Sequence, residues 1–439
     1  MRAAIASALI GVAVLVAGFF RPASLAVAAE PIKVTTVSST DVRNLIPPFD
    51  PRLDAVRAPA GFGTGRVWRV GPNEQYRKPS DVVARVHDGD IVEIEAARYA
   101  CDTSVKWSAN YLTLIGVGGR PVIDATGCHL AGDKGSWNPK GKGLIVANIE
   151  FAGAAGPSNN DAGIRYDGIG YLYITSSYFH DNQDGILVTP LDGKATDIVI
   201  SNCDFAHNGT GDGYSHNIYI SYSNAVPANS FVLRFSYSHG THRGNQVKSR
   251  ALSNYILYNR IADEDQGDSN HAIDLPQGGL SYIIGNVIQH GAHAAKPAMI
   301  SYSAEPIHNP IQEVYLVNNT IVSELPEDIA LRLTDNGLTA AKMVNNLVVG
   351  VTPSNLVAPT PAKIAMMNNV IASEPCFSDT GNRNYHLTAA SPAINAGIDG
   401  GIARGFPLAP AFEFEPPATG VSRPTSGKLD VGAYEYSSP

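Results

Sequence analysis

One segment type recurs along most of the chain, and this recurrence constrains the fold more than any other feature of the sequence. Short alternating runs opening with a small residue or Asn stand at Gly163–Asp167, Gly185–Thr189, Asn217–Ser221, Asn245–Ser249, Ala272–Pro276, Ala298–Tyr302 and Ala330–Thr334. Their starts are 22 to 32 residues apart, as expected of a coil of fixed core length whose insertions are confined to one turn. A second column keeps the register: Asn202, Asn259, Asn286, Asn319, Asn346 and Asn369 each stand two or three residues before an apolar strand end. Stacked Asn side chains hydrogen-bond from coil to coil and satisfy amides that an open turn leaves unpaired. A β-sandwich would instead pair its strands through tight hairpins, a pattern these runs do not follow. The period predicts an all-β solenoid of parallel strands.

Composition agrees with a packed protein. Of the 439 residues, 44% are hydrophobic and only 16% are charged, against about a quarter in typical soluble domains. Such a chain buries a large core, which excludes global disorder. A formal charge of −8 excludes a nucleic-acid binder held by bulk electrostatics.

The N-terminus reads as a targeting segment. Arg2 precedes the apolar stretch Ala3 to Phe20, followed by Arg21-Pro22 and a small-x-small site at Ala26-Val27-Ala28, which predicts a signal peptide over residues 1–29. The alternative is a retained anchor, because an apolar stretch of about 18 residues approaches the length that spans a bilayer. Cleavage predicts a secreted or periplasmic protein, off the membrane. Export suits the four cysteines: Cys101 and Cys128, flanking the apolar Tyr111–Gly118, are expected to form a bridge. Cys203 is expected in the core, Cys376 has no evident partner, and no metal-ligand spacing is present. Residues 30–65 read as a Pro-rich leader. Residues 66–439 read as one solenoid domain, with coils over roughly 90–375 and a closing segment over 376–439.

Several segments then resemble the right-handed parallel β-helix superfamily of pectate-lyase-like proteins. Trp68-Arg-Val-Gly-Pro72, Asp88-Gly-Asp-Ile-Val92 and Tyr99 resemble the N-terminal cap. That likeness implies a short helix from about Pro79 to His87, with Val82, Val83 and Val86 plugging the open end, which would otherwise expose core and strand edges. Thr113 to Asp124 resembles the first complete coil, and Ser391–Gly397 with Asp430–Glu435 resemble segments that close such helices.

Strand alternation then assigns faces. With Ile164, Ile186, Ile218, Ile220, Ile273, Leu275, Leu331 and Leu333 inward, the outward positions are Arg165, Leu187, Tyr219, Asp274, Ile300 and Arg332. Val247 inward turns Gln246, Lys248 and Arg250 outward. Adjacent coils are about 4.8 Å apart, so Tyr219, Lys248 and Asp274 are expected in line. The entering turns add His216 and Asn217, then His239, His242 and Arg243, then Asn270 and His271. His239 itself is expected in a turn column with His207, Asp263 and His290.

Such a cluster on an exported groove suits an acidic polysaccharide. In β-elimination of a uronic-acid polymer the carboxylate is neutralised, a base removes the C5 proton and an acid protonates the leaving oxygen. Lys248 is the expected base, its pKa depressed by Arg243, Arg250 and His242; Tyr219 or a His such as His271 is the expected acid. His216, Asn217, Arg243, Gln246, Asp274 and Gln277 are the expected substrate contacts. Val247-Lys-Ser249 with Tyr258-Asn259 and Gly285-Asn286 is similar to the region holding the catalytic Lys of the alginate lyase and chondroitinase B family, and the likeness places Lys248 at that base. Leu275-Pro-Gln-Gly278 stands where that family has Leu-Arg-His-Gly, so Pro276 replaces its Arg.

Both families commonly use calcium. The turn Asp263-Glu264-Asp265-Gln-Gly-Asp268 offers four carboxylates to such an ion, and His216, His242, His271 and Asp274 form an alternative transition-metal set. Other functions stay open: an epimerase sharing proton abstraction, a glycoside hydrolase, or a non-catalytic glycan-binding solenoid. The motif set of polygalacturonase-type hydrolases is missing, with Ser238-His-Gly240 a partial echo, and Asp184, Asp212 and Asp274 stand on different coils rather than as an adjacent pair. The expected partner is an acidic polysaccharide, with no nucleic acid, and the protein is expected to act as a monomer.

Overall fold

The computed structural model describes Leu53, Val56 and residues 58–437 apart from 131–133, 190–195, 224–225, 374–375 and 426. The expected signal peptide and residues 30–52 of the leader lie outside the described residues. The rest folds as a right-handed parallel β-helix built from three long sheets. A twelve-stranded sheet runs from Val67–Val70 to Ile364–Met367, an eleven-stranded sheet from Arg98–Ala100 to Val370–Ala372, and a nine-stranded sheet from Gly135–Trp137 to Val357–Ala358. Each coil contributes in turn to the first, second and third sheet, as Ser253–Leu257, Arg260–Ala262 and His271–Leu275 do. The short strands of the second sheet, three or four residues each, are too brief to show a period in the sequence.

The tight corner between the first and second sheets explains the Asn column. From the strand Lys142–Ala147 onward its first residue is left-handed in nine successive coils: Asn148, Ser176, Asn202, Phe235, Tyr258, Gly285, Asn318, Asn345 and Asn368 have φ between 50° and 67°. The next residue points inward and carries the ladder. Asn286 Oδ1 accepts both the backbone N–H of Asn259 (2.9 Å) and its Nδ2 (3.0 Å), and Asn319, Asn346 and Asn369 repeat the motif. Toward the N-terminus the hydroxyls of Ser236 and Ser177 replace the amides. Asn202 is a correction: it occupies the left-handed column, which Asn tolerates, and its Nδ2 donates to the Ala418 carbonyl instead.

All seven expected runs overlap strands of the third sheet. Its inner line is Ile164, Ile186, Ile218, Val247, Ile273, Ile300 and Leu331, and its outer line is Arg165, Leu187, Tyr219, Lys248, Asp274, Ser301 and Arg332. Ile300 therefore faces the core and Ser301 takes the outward place expected for it. Strict alternation also breaks at the strand entries. Ala272 with Ile273, Met299 with Ile300 and Ala330 with Leu331 are successive buried core residues, so the outward residue comes one position before each doublet.

Inside the coil, Phe151, Phe179 and Phe205 stack at 5.0 and 4.9 Å, with Trp137 edge-on to Phe151. Cys203 lies in this core, and Cys101 and Cys128 are bonded. At the N-terminal end the expected helix is one 3-10 turn, Pro79–Asp81, followed by further turns. The Asp81 carboxylate accepts the amides of Arg77 and Lys78, and Gly89 at φ 80° reverses the chain soon afterwards. Val82 still plugs the core, with Val83 and Val86 against it. No helix among the described residues is long and apolar enough to cross a membrane.

The C-terminal segment does not cover the other end. It turns back along the outside of the solenoid. Asn368 and Asn345 hold the Ala396 and Ile398 carbonyls, Lys342 holds Gly400, Arg404 pairs with Glu313, and Phe412 reaches Phe235. Ser391–Gly397 and Asp430–Glu435 pack over the second sheet, where Ala393, Val431 and Tyr434 join Val322, Leu347 and Val349.

Candidate functional site

The doublet at each third-sheet strand entry places two outward columns side by side. One is Tyr219, Lys248 and Asp274 on successive coils; the other, three residues earlier in each strand, is His216, Asn245 and His271, with Asp184 one coil before them. Hydrogen bonds tie the columns together. Asp184 Oδ1 accepts the His216 amide at 2.6 Å, and His216 Nδ1 accepts the Asn245 amide at 2.9 Å. Asn245 Nδ2 donates to Asp274 Oδ2 at 3.2 Å, and Lys248 Nζ stands 3.7 Å from the same oxygen. Beside them, Arg250 donates through Nη1 to the Tyr219 hydroxyl at 2.6 Å and through Nη2 to both oxygens of Glu305 at 2.7 and 2.8 Å. Lys248 Nζ and the Arg250 guanidinium lie 5.5 and 5.4 Å from the Tyr219 ring centre, and His216 meets that ring edge-on at 5.0 Å.

Burial sets the proton inventory. Asp184 and His216 form the floor, and burial pushes the Asp184 carboxyl well above its usual range although the His216 amide opposes this. Burial, reinforced by Lys248 and Arg250, holds His216 well below its usual value. The ring is therefore neutral, and since Nδ1 accepts a hydrogen bond its proton sits on Nε2. His271, also lowered mainly by burial, is the opposite tautomer: its Nδ1 lies 2.6 Å from the Ala298 carbonyl, which can only accept, leaving Nε2 with a lone pair. Burial lowers the Lys248 ammonium, with Asp274 opposing and Arg250 adding to the effect. Burial raises the Tyr219 phenol, with Arg250 opposing. The half-buried Lys248 and Tyr219 are thus a depressed amine and a protonated phenol on neighbouring coils.

Of the expected site residues, Lys248, Tyr219, Arg250, His216, Asp274 and His271 come together. The others go elsewhere. His242 and Arg243 both engage Asp268 on an exposed turn, so Arg250 alone of the three expected cations acts on Lys248. Asn217 and Gln246 are buried in a second polar ladder. Asn182, Asn208 and Asn217 pass hydrogen bonds along it, Asn217 donates to Gln246 at 2.7 Å, and Gln246 donates to Asp263 at 2.9 Å. This ladder fills the corner between the second and third sheets. Gln277 is buried, and its carbonyl accepts from Gln312. His239 stacks on Tyr237 and pairs with Asp204, one position from the column of His207, Asp263 and His290.

The acidic turn does not assemble a calcium cage. Asp263 faces inward to Gln246 and the Gly291 amide. Glu264 binds Arg260 and Arg383, and Asp265 binds Arg383. Asp268 turns to His242 and Arg243. Each carboxylate is already engaged by a protein donor, and Arg383 alone takes two of them, whereas calcium needs six to eight oxygens converging on one point. Among the described residues no three His, Cys, Asp or Glu group so as to hold a metal ion, and this includes the His216, His242, His271 and Asp274 set. The sequence reading missed Asn245 and Glu305 altogether and gave Asp184 no place in the cluster. The Gly185-Ile186 doublet is the available signal for Asp184, and Ala272-Ile273 one coil beyond Asn245 is the signal for its column, since Asn245 itself precedes Gln246-Val247; Glu305 comes from a loop of variable length and has none.

No protein-family model matches the chain, and no curated protein matches it. Among solved structures it is similar to pectate lyase Pel9A, with 13% identity over 86% of this chain and 98% of that chain and a TM-score of 0.56. It also aligns with the pectin methylesterase from Aspergillus niger, with 13% identity over 78% of this chain and 93% of that chain, but at a TM-score of 0.30, too loose a likeness to carry an argument. The first likeness shows the fold alone: this chain is a right-handed parallel β-helix.

Proposed function

We propose that the protein is a polysaccharide lyase acting on a uronic-acid polymer at the outer face of the third sheet. The observation that carries this reading is the convergence of Lys248, Tyr219 and Arg250, with the amine depressed and the phenol hydrogen-bonded through its oxygen to a cation. Lys248, ion-paired as an ammonium in the resting site, reacts in the deprotonated form that its depressed pKa makes more accessible, and takes the C5 proton of a bound uronate. The C5–H electrons form the C4–C5 double bond as the C4–O bond breaks, and the departing oxygen receives the Tyr219 proton. The proton gained by Lys248 then restores Tyr219, so the cycle balances. Arg250, by accepting no proton and donating to the Tyr219 oxygen, stabilises the phenolate that forms transiently. The pectate-lyase-type fold and the expected export signal support a polymer outside the cell as substrate.

The test is to incubate the protein with polygalacturonate, alginate and glycosaminoglycan uronates, with calcium and with chelator, and follow the ultraviolet absorbance of the unsaturated product. Lys248→Ala is expected to lower the rate by about 10²–10⁴-fold, the usual range for loss of a general base, and the satisfied acidic turn predicts indifference to chelator. Reducing ends appearing without new absorbance would replace elimination by hydrolysis.

A further inference from the structure

The site as folded is electrically balanced, and that balance limits how an anionic substrate can enter. Lys248 faces Asp274 and Arg250 faces Glu305, so two cations meet two carboxylates. A substrate carboxylate added to this set would leave a partly buried excess of negative charge, which a low-dielectric site disfavours. A carboxylate that replaces one already present would not.

Glu305 is the one built to be replaced. Arg250 is buried, its side chain 8% exposed, while the Glu305 side chain is 39% exposed. Asp274 is held by Asn245 as well as Lys248; both oxygens of Glu305 rest on the single Nη2 of Arg250. Glu305 also lies outside the coil core, in the irregular segment between Ile300–Tyr302 and Gln312–Val317. Its backbone there is held by a hydrogen bond from its own N–H to the Pro276 carbonyl and by a long one that its carbonyl accepts from Asn336. The Arg250 arm that would grip a uronate therefore carries an internal carboxylate, while its other arm already holds the Tyr219 hydroxyl.

We propose that Glu305 is an internal stand-in for the substrate carboxylate: it occupies Arg250 in the empty protein and is exchanged for a uronate carboxylate on binding. This rests on the uronate reading of the site and deepens it by naming the carboxylate subsite and the residue that guards it. The exchange keeps the site neutral, sets the carboxylate beside Tyr219, and discriminates against neutral sugars, which cannot displace an ion-paired carboxylate.

The experiment compares wild type, Glu305→Gln and Glu305→Asp by calorimetric titration with trigalacturonate and with its methyl ester, each at low and moderate salt, alongside the ultraviolet assay. Glu305→Gln removes the competing charge and is expected to bind trigalacturonate about tenfold more tightly, equivalent to about 1.4 kcal/mol, with a steeper salt dependence and unchanged affinity for the ester. Glu305→Asp keeps the charge but shortens its reach, and is expected to fall between the two. It also serves as the working variant should the Gln form not fold. Equal or weaker binding of the acid by both variants overturns the proposal, as does equal gain for acid and ester. A gain in acid affinity with no ultraviolet product from any polymer keeps the subsite and removes the lyase reading; product formation with no gain does the reverse.

Discussion

Asp184 and His216 show how the floor of the site couples to pH. The Asp184 carboxyl is raised well above its unfolded value of 3.8, so between those two values the folded protein holds a proton that the unfolded chain has released. Stability therefore falls as pH rises through that window. In Asp184→Asn the Oδ1 that accepts the His216 amide is retained and the titration is removed. The variant is expected to gain on wild type as pH rises above about 4, by at most about 1.4 kcal/mol per pH unit until the folded carboxyl ionises. Urea unfolding of both proteins from pH 4 to 8 reads this directly, and a difference independent of pH would refute it. His216, held well below 6.5, has the opposite sign. Stability is lost as pH falls below about 6.5, because the unfolded imidazole then binds a proton that the buried ring refuses, and both proteins should share that loss. The site was partly legible at this scale. Tyr219, Lys248 and Asp274 follow from alternation, since each pairs with the next in register. Asn245 and Asp184 escaped because the inward doublet shifts the outward column by one residue, and Glu305 escaped because a loop residue reaches Arg250 from 55 positions away.

The two polar ladders are the elements that fix coil register, and they explain why several polar residues near the site are not part of it. A residue such as Gln246 looks outward by parity, but at the strand entry the backbone turns it into the corner. There a buried amide bonded on both sides outweighs one in water only because every partner is satisfied. Alternation cannot reveal this, whereas the Asn column was visible because the same residue type recurs at the same place. The Asn286 rung tests its weight. Its Oδ1 accepts from Asn259, and its Nδ2 donates to the Ile256 carbonyl and to Asn319. Asn286→Ala leaves two buried donors of Asn259 without an acceptor and is expected to cost about 3 kcal/mol, from about 1–3 kcal/mol for each buried group left unsatisfied. Asn369, the last rung, is only partly buried, and Asn369→Ala is expected to cost less than about 1 kcal/mol. Denaturant midpoints of the two variants would settle the ranking, and equal losses would mean that the ladder does not act rung by rung.

A solenoid's stability is a sum of neighbouring contacts, so its two ends matter more than its middle. Here the ends differ. Val70 and Val82 close the first, both fully buried. At the other, Met366, Met367 and Ile371 are 46%, 38% and 39% exposed, on the strands Ile364–Met367 and Val370–Ala372 that terminate their sheets. The closing segments expected from sequence lie instead along the second sheet, because the left-handed Asn345 and Asn368 reach out and hold the Ile398 and Ala396 carbonyls. A motif near the C-terminus says that the chain packs on the solenoid and does not say on which surface. Met343 and Met366 make the asymmetry measurable, since they are register partners in one column, one fully buried and one nearly half exposed. Met343→Lys places an unpaired ammonium inside the coil and is expected to cost more than about 4 kcal/mol. Met366→Lys, one coil further on, is expected to change stability by no more than about 0.5 kcal/mol, and to reduce self-association by placing a charge on an open strand edge. Unfolding curves together with sedimentation of both variants test the pair. A large loss in Met366→Lys would show that something covers this end in solution, whereas a small loss fits a solenoid whose last coil is held from one side only.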